Sequence, residues 1–187
     1  MRVISGICKG RRLRAVPGQN TRPTTDKVKE TLFNIIGPFF QGGDVLDLYG
    51  GSGGLGIEAL SRGIEHAVFV DHYGPAIETI KANLESCGLM EQADVFRNEA
   101  ARALKALIKR QYQFDLIFLD PPYKKVQLER DLMAISQEGL LKENGQIVVE
   151  HAESVLLPDD LGQGVTRVKY QTYNEQTALS FYQKTSG

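Results

Sequence analysis

The chain has 187 residues, 42% of them hydrophobic, enough for one globular core with a small appendage. Its formal net charge of −1 hides an uneven distribution. Residues 1–29 carry eight basic side chains and one acid (+7), and the remaining 158 carry 14 basic and 22 acidic ones (−8). That asymmetry argues for a basic segment that meets a polyanion, carried on an acidic body. No apolar run approaches the ~20 residues needed to span a bilayer. The first residues lack a signal-peptide pattern, Cys8 and Cys87 form no CxxC pair, and His66, His72 and His151 lack metal-ligand spacing. A cytoplasmic protein without a metal is expected.

In chain order, residues 2–5 (RVIS) and 12–16 (RLRAV) are short β-like runs around Gly6 and Gly10, which predict a basic hairpin. PGQNTRPTT follows as a polar loop, so that 1–24 read as an extension and 25–187 as the main domain. Thr25 or Asp26 is placed to cap a helix running to about Ile36, with Val28, Leu32, Phe33 and Ile36 on one face. From Asp44 a βα alternation sets in, with strands expected at 44–48, 66–70, 93–96, 114–119 and 145–149. Helices are expected near 54–62, 74–86, 98–110 and 127–138. Residues 165–173 and 177–183 then read as a hairpin around Asn174-Glu175. Short, apolar, β-branched strands alternating with helices predict an α/β fold. Its doubly wound, mostly parallel seven-stranded sheet would end in an antiparallel C-terminal hairpin.

The first strand runs into Asp47-Leu48-Tyr49-Gly50-Gly51-Ser52-Gly53-Gly54-Leu55-Gly56, with four glycines in five positions at 50–54. Such a loop lets a ligand approach the backbone, and the helix behind it directs N–H groups toward that ligand. Asp71 closes the second strand 20 residues after Gly51, where a carboxylate can accept from ribose hydroxyls. An adenosine-containing cofactor is therefore expected at the carboxyl ends of strands one and two. Gly51–Gly56 satisfies G-x-G-x-x-G and Asp71 has the dinucleotide spacing. Against a dinucleotide, Asp47 would repel a pyrophosphate and suit a cationic zwitterion such as S-adenosylmethionine, and Tyr49-Gly50 lengthen the loop. After the third strand, Glu99 is placed to reach the adenine edge; alternatively Asn98 or Glu99 caps the next helix.

Asp120-Pro121-Pro122-Tyr123 follows the apolar run FDLIFL. The prolines lack N–H groups and stiffen the corner. The Asp120 carboxylate and Pro121 carbonyl then form an acceptor pair beside the Tyr123 ring, suited to a flat group bearing an NH2.

The loop after DLY, the acid at Asp71 and the DPPY corner together resemble class I S-adenosylmethionine-dependent amino-methyltransferases. GRRLRAVPGQNTRPTTDKVKETLFNII is similar to the opening of the RsmD family of bacterial small-subunit rRNA (guanine-N2)-methyltransferases. The resemblance spans about residues 2–183, and the N-terminal pattern is its most specific part. Where the family usually reads D-L-F-A-G-S-G, this chain has Tyr49 and Gly50. Where the family usually has Asp or Asn after the third strand, it has Glu99. The resemblance implies methyl transfer to the exocyclic N2 of a guanine in 16S rRNA, within the small ribosomal subunit; separately, a monomer is expected. Asp47, Tyr49, Gly50, Gly51, Ser52, Gly53, Asp71 and Glu99 would hold the cofactor. Asp120, Pro121 and Tyr123 would act on the base, Tyr123 by stacking. Lys9, Arg11, Arg12, Arg14, Arg22 and Lys124 would bind RNA phosphates, with Lys125 and Arg130 also near the corner. Rival readings are adenine-N6 or glutamine-N5 methylation, in which Asn more often stands at the position of Asp120. A nicotinamide-dependent oxidoreductase and a non-catalytic RNA-binding assembly factor are further rivals.

Overall fold

The structure, a computed structural model, describes residues 1–18, 25–121 and 125–185. It divides into two compact units, Met1–Glu99 and Ala100–Gly187. Among the described residues no helix is long and apolar enough to cross a membrane.

The first unit begins with the basic segment and α1 (Asp26–Ile36). Thr25 caps α1, its hydroxyl accepting from Val28 N at 3.3 Å. There follow β1 (Asp44–Leu48), α2 (Gly54–Ser61), β2 (His66–Asp71), α3 (Gly74–Ser86) and β3 (Ala93–Arg97). β2 pairs in parallel with both β1 and β3, so each connection must cross over, and α2 and α3 are those crossovers. Val45, Leu46, Leu48 and Ala67 to Val70 are buried against Ile57, Leu60, Ile77 and Ile80, as the apolar runs require.

The expected N-terminal hairpin is present but short: residues 1–3 pair antiparallel with 10–13, around an Arg2–Arg12 bridge, through Val3 N to Arg11 O, Gly10 N to Val3 O and Leu13 N to Met1 O, each at 2.9 Å. Between the paired residues, the backbone of the connecting loop turns to α2. Ile7 N donates to the Ser61 carbonyl at 2.9 Å, and Cys8 N donates to the Ser61 hydroxyl at 3.0 Å. Ile4 N and Ser5 N donate to the Glu58 carboxylate at 2.9 and 3.1 Å. The short hairpin is thus fastened along α2 by its loop.

The second unit contains α4 (Ala100–Lys109), β4 (Phe114–Leu119), α5 (Lys125–Gln137), β5 (Leu141–Ala152), β6 (Asp160–Gly162), β7 (Val165–Thr172) and β8 (Thr177–Lys184). β4 pairs in parallel with β5, and β8 lies antiparallel between β5 and β7. The C-terminal antiparallel ladder is as expected. β6, too short to leave a periodic signal, pairs with β7 and makes eight strands among the described residues where seven were expected. β5 also starts four residues early. A register shift between Phe114 and Leu116 accommodates Asn144 at φ 65° and Gly145, a turn-like pair that reads in sequence as the strand's beginning.

Candidate functional site

In the first unit the Gly loop is fastened at nearly every residue. Gly50 N donates to the Val70 carbonyl at 2.9 Å, and Gly51 N donates to Asp71 Oδ2 at 2.9 Å. Tyr73 N donates to Asp71 Oδ1 at 2.9 Å, so one carboxylate joins the loop to the start of α3. Each carboxylate oxygen retains a second lone pair, which leaves Asp71 capacity for ribose hydroxyls. Tyr49 takes a left-handed φ of 63°, unusual for a residue with a side chain, and turns the chain out of β1. Gly51 has φ 58°, and a Cβ built there would meet nothing within 4 Å. The backbone at Gly51 is therefore open to close approach by a ligand, which is the cradle an adenosyl cofactor needs.

Asp47 is not at the loop's mouth. It is only 3% exposed and accepts from Gly56 N at 3.0 Å, which pins the first turn of α2. Burial pushes its carboxyl up to about 7, with the nearby charge of Asp71 adding to the effect and the Gly56 bond opposing it. The last glycine of the G-x-G-x-x-G pattern serves packing. A Cβ at Gly56 would lie 2.4 Å from the Phe69 ring.

The neighbouring elements add contacts that sequence reasoning missed. Asn83, buried on the apolar face of α3, donates from Nδ2 to the Ser52 carbonyl at 2.9 Å. It also pairs with the backbone of Arg14, accepting from its N–H at 2.8 Å and donating to its carbonyl at 3.1 Å. A polar residue among Ala76, Ile80 and Leu84 was the available signal. Glu58 on α2 sits in a buried cluster, 3.2 Å from Lys29 Nζ and 2.7 Å from Arg62 Nε. Lys29 also donates to the Arg2 carbonyl at 2.6 Å. Burial lowers the Lys29 pKa, an effect opposed by Glu58. Lys29, one of the eight basic residues of the N-terminal run, thus faces inward. Lys9, Arg11, Arg12 and Arg14 are exposed, as a phosphate-binding role requires. Glu99 is exposed just before α4, and its N–H donates to Asn98 Oδ1 at 2.9 Å.

In the second unit Asp120 is exposed at the carboxyl end of β4, with half-buried Pro121 next to it. The parallel register pairs Leu119 with Val149, so the next residues on the two strands are Asp120 and Glu150. Glu150 accepts a hydrogen bond from the Tyr173 hydroxyl. Burial, that bond and the charges of Glu150 and Asp120 all push the Tyr173 hydroxyl upward, so it stays protonated as a donor. Beyond the end of β5, a cavity of about 500 Å³ is lined by Ala152, Glu153, Ser154, Glu175 and Gln176. Lys125 is 3.7 Å from Glu129, and Arg130 is 3.9 Å from Asp131. Arg22, Pro122, Tyr123 and Lys124 lie outside the described residues.

Known proteins resemble this chain along most of its length. A Bacillus subtilis protein named "Putative rRNA methyltransferase YlbH" is 54% identical over 98% of this chain and 99% of its own. The "Ribosomal RNA small subunit methyltransferase D" of Haemophilus influenzae is 36% identical over 80% of this chain and 78% of its own. The solved "Putative methyltransferase yhhF from Escherichia coli" superimposes with a TM-score of 0.84 at 29% identity, covering 99% of this chain and 98% of that one. The family model described as "Conserved hypothetical protein 95" matches residues 1–183. The chain belongs to that family, the RsmD family that its N-terminal pattern and Gly loop resemble.

Proposed function

We propose that this protein transfers a methyl group from S-adenosylmethionine to the exocyclic N2 of a guanine in 16S rRNA of the small ribosomal subunit, acting as a cytoplasmic monomer. The match over residues 1–183 carries this reading, because it unites the Gly loop, Asp71, Asp120 and the exposed basic loop in one family. The Gly loop, fastened at Gly50, Gly51, Ser52 and Gly53 with open space at Gly51, beside an Asp71 carboxylate that keeps lone pairs to share, supports the donor assignment.

S-adenosylmethionine supplies an electrophilic methyl on a sulfonium. The chain's own residues hold and orient the partners. Gly50 to Gly53, with Tyr49 and Ser52, give the donor a backbone cradle. Asp71 would accept from its ribose hydroxyls, and Glu99 would reach the edge of its base. Asp47 keeps α2 in place from beneath. On the acceptor side, a guanine N2 is a poor nucleophile because its lone pair is delocalised into the ring. The Asp120 carboxylate and Pro121 carbonyl accept its two hydrogens, which lets the nitrogen pyramidalise and aim its lone pair. As the bond from N2 to the methyl forms, the methyl's bond to sulfur would break to leave neutral S-adenosylhomocysteine, and positive charge would develop on N2. Both acceptors would then bind the transition state more strongly than the ground state, and the surplus N2 proton would pass to the Asp120 carboxylate or to water. Tyr123 stacks on a flipped-out base, and Lys9, Arg11, Arg12, Arg14, Arg22 and Lys124 hold phosphates without reading sequence.

The test is transfer of labelled methyl to 30S particles from a strain lacking the enzyme, followed by nucleoside analysis. N2-methylguanosine is expected. N6-methyladenosine would replace this reading with adenine methylation, and incorporation into neither would overturn it.

A further inference from the structure

We propose that Asn83 is a positioning residue of the Gly loop, through which seating of RNA on the Arg14 segment and binding of the methyl donor reinforce one another. The inference rests on the functional reading above. Asparagine is a poor helix former, and burying its amide costs stability unless the polar atoms are bonded. An apolar side chain would serve the packing of α3 better. Asn83 is instead 2% exposed, and its amide is committed to two other segments. Oδ1 accepts from Arg14 N at 2.8 Å, and Nδ2 donates to Arg14 O at 3.1 Å and to Ser52 O at 2.9 Å.

The amide is planar, so these three bonds cannot move independently. A shift of the Arg14 backbone turns the amide plane and pulls Nδ2 off the Ser52 carbonyl. Fixing Arg14 holds Ser52 in place, and Ser52 lies between the glycines that cradle the donor. A second contact reinforces the first. The Met1 thioether lies so close to Gly54 that a Cβ there would be 2.9 Å from its sulfur, and the Met1 carbonyl accepts from Leu13 N at 2.9 Å. The basic segment thus touches the loop at Ser52 through Asn83 and at Gly54 through Met1. The Arg14 side chain is exposed, so a phosphate can engage it while its backbone stays clasped. Any ligand that orders the segment lowers the cost of ordering the loop, and by linkage the reverse holds.

Calorimetry with S-adenosylhomocysteine, with and without a protein-free 16S rRNA transcript, tests the coupling. In the wild-type protein the transcript is expected to tighten S-adenosylhomocysteine binding by about fivefold or more. Asn83→Asp keeps an acceptor for Arg14 N but loses both donated bonds. It is expected to weaken S-adenosylhomocysteine binding and to abolish the tightening by RNA. Hydrogen exchange at the amides of residues 50–54 in the wild-type protein requires no variant, and it should slow when the transcript is added. Unchanged exchange there, an affinity that RNA leaves unchanged, or full tightening in Asn83→Asp would overturn the inference while leaving the functional reading intact. A wild-type protein that binds no S-adenosylhomocysteine at all overturns both.

Discussion

Lys29 and Arg12 both belong to the basic N-terminal run, yet they meet opposite surroundings. Lys29 is wholly enclosed by Glu58, the Arg2 carbonyl and the packing of α1, whereas Arg12 and its neighbours Lys9, Arg11 and Arg14 stand in solvent. The same division holds among the acids. Asp47 and Glu58 are buried and fix backbone, while Asp120 is exposed at a strand end. A buried charge is committed to a few partners and costs a great deal when one is removed. An exposed charge contributes little to stability and is available to a ligand. The inward set builds the platform, and the outward set carries the roles proposed above for catalysis and RNA binding.

Four measurements can break or sharpen that division. Glu58→Ala should have the largest effect. It strands two buried cations and two backbone N–H groups, and should cost about 3–5 kcal/mol in denaturant unfolding. A loss below about 1 kcal/mol would mean that the cluster is not a structural unit. Asp47→Asn keeps an acceptor for Gly56 N and removes a titration. The native Asp47 carboxyl titrates at about 7, above its ordinary value near 3.8, so the folded state binds the proton more tightly than the unfolded chain. Its contribution to stability is full below about pH 4 and is lost as pH rises through about 7. The difference in stability between variant and wild type should therefore shift toward the variant by on the order of 4 kcal/mol across that window, then level off. A difference that does not vary with pH would reject a raised Asp47.

Asp120→Ala, on the outward side, should leave S-adenosylmethionine affinity nearly unchanged and cut methyl transfer roughly 10²-fold, as loss of one transition-state acceptor does. Full activity would remove Asp120 from the chemistry. Smallest in stability is the double change Arg11→Ala with Arg12→Ala. Unfolding free energy should stay within about 0.5 kcal/mol of wild type, while the salt dependence of RNA binding flattens by up to about one unit of slope per lost phosphate contact. An unchanged slope would take these arginines out of the interface.

The fold was legible where the information is local. Short β-branched runs became β1 to β4, and Thr25 became the α1 cap because a hydroxyl three residues before Val28 can reach its N–H. The Gly51–Asp71 pairing was legible too, because consecutive strands joined by one helix bring a loop and the next strand's end together. What escaped was non-local. Nothing in the charge of Lys29 distinguishes it from Lys27 until Glu58 is placed 29 residues away. Asp120 and Glu150 become neighbours only once the β4–β5 register is fixed, and Tyr173 joins Glu150 only after β7 has been laid beside β8. The N-terminal hairpin forms over fewer residues than its alternating pattern predicts, because beyond Val3 the end of α2 takes the backbone N–H groups at Glu58 and Ser61.

Gly56 and Phe69 hold a further consequence. The Phe69 ring fills the space where a Cβ on Gly56 would lie, and it also packs against Gly53. Volume at position 56 and volume at position 69 are thus a single shared quantity, divided between a helix and a strand. An alanine at 56 is admissible only with a shorter side chain at 69, such as leucine. Across descendants of this chain the two sites should drift as a pair, with the intermediate carrying only Gly56→Ala selected against for its effect on folding before any effect on catalysis arises.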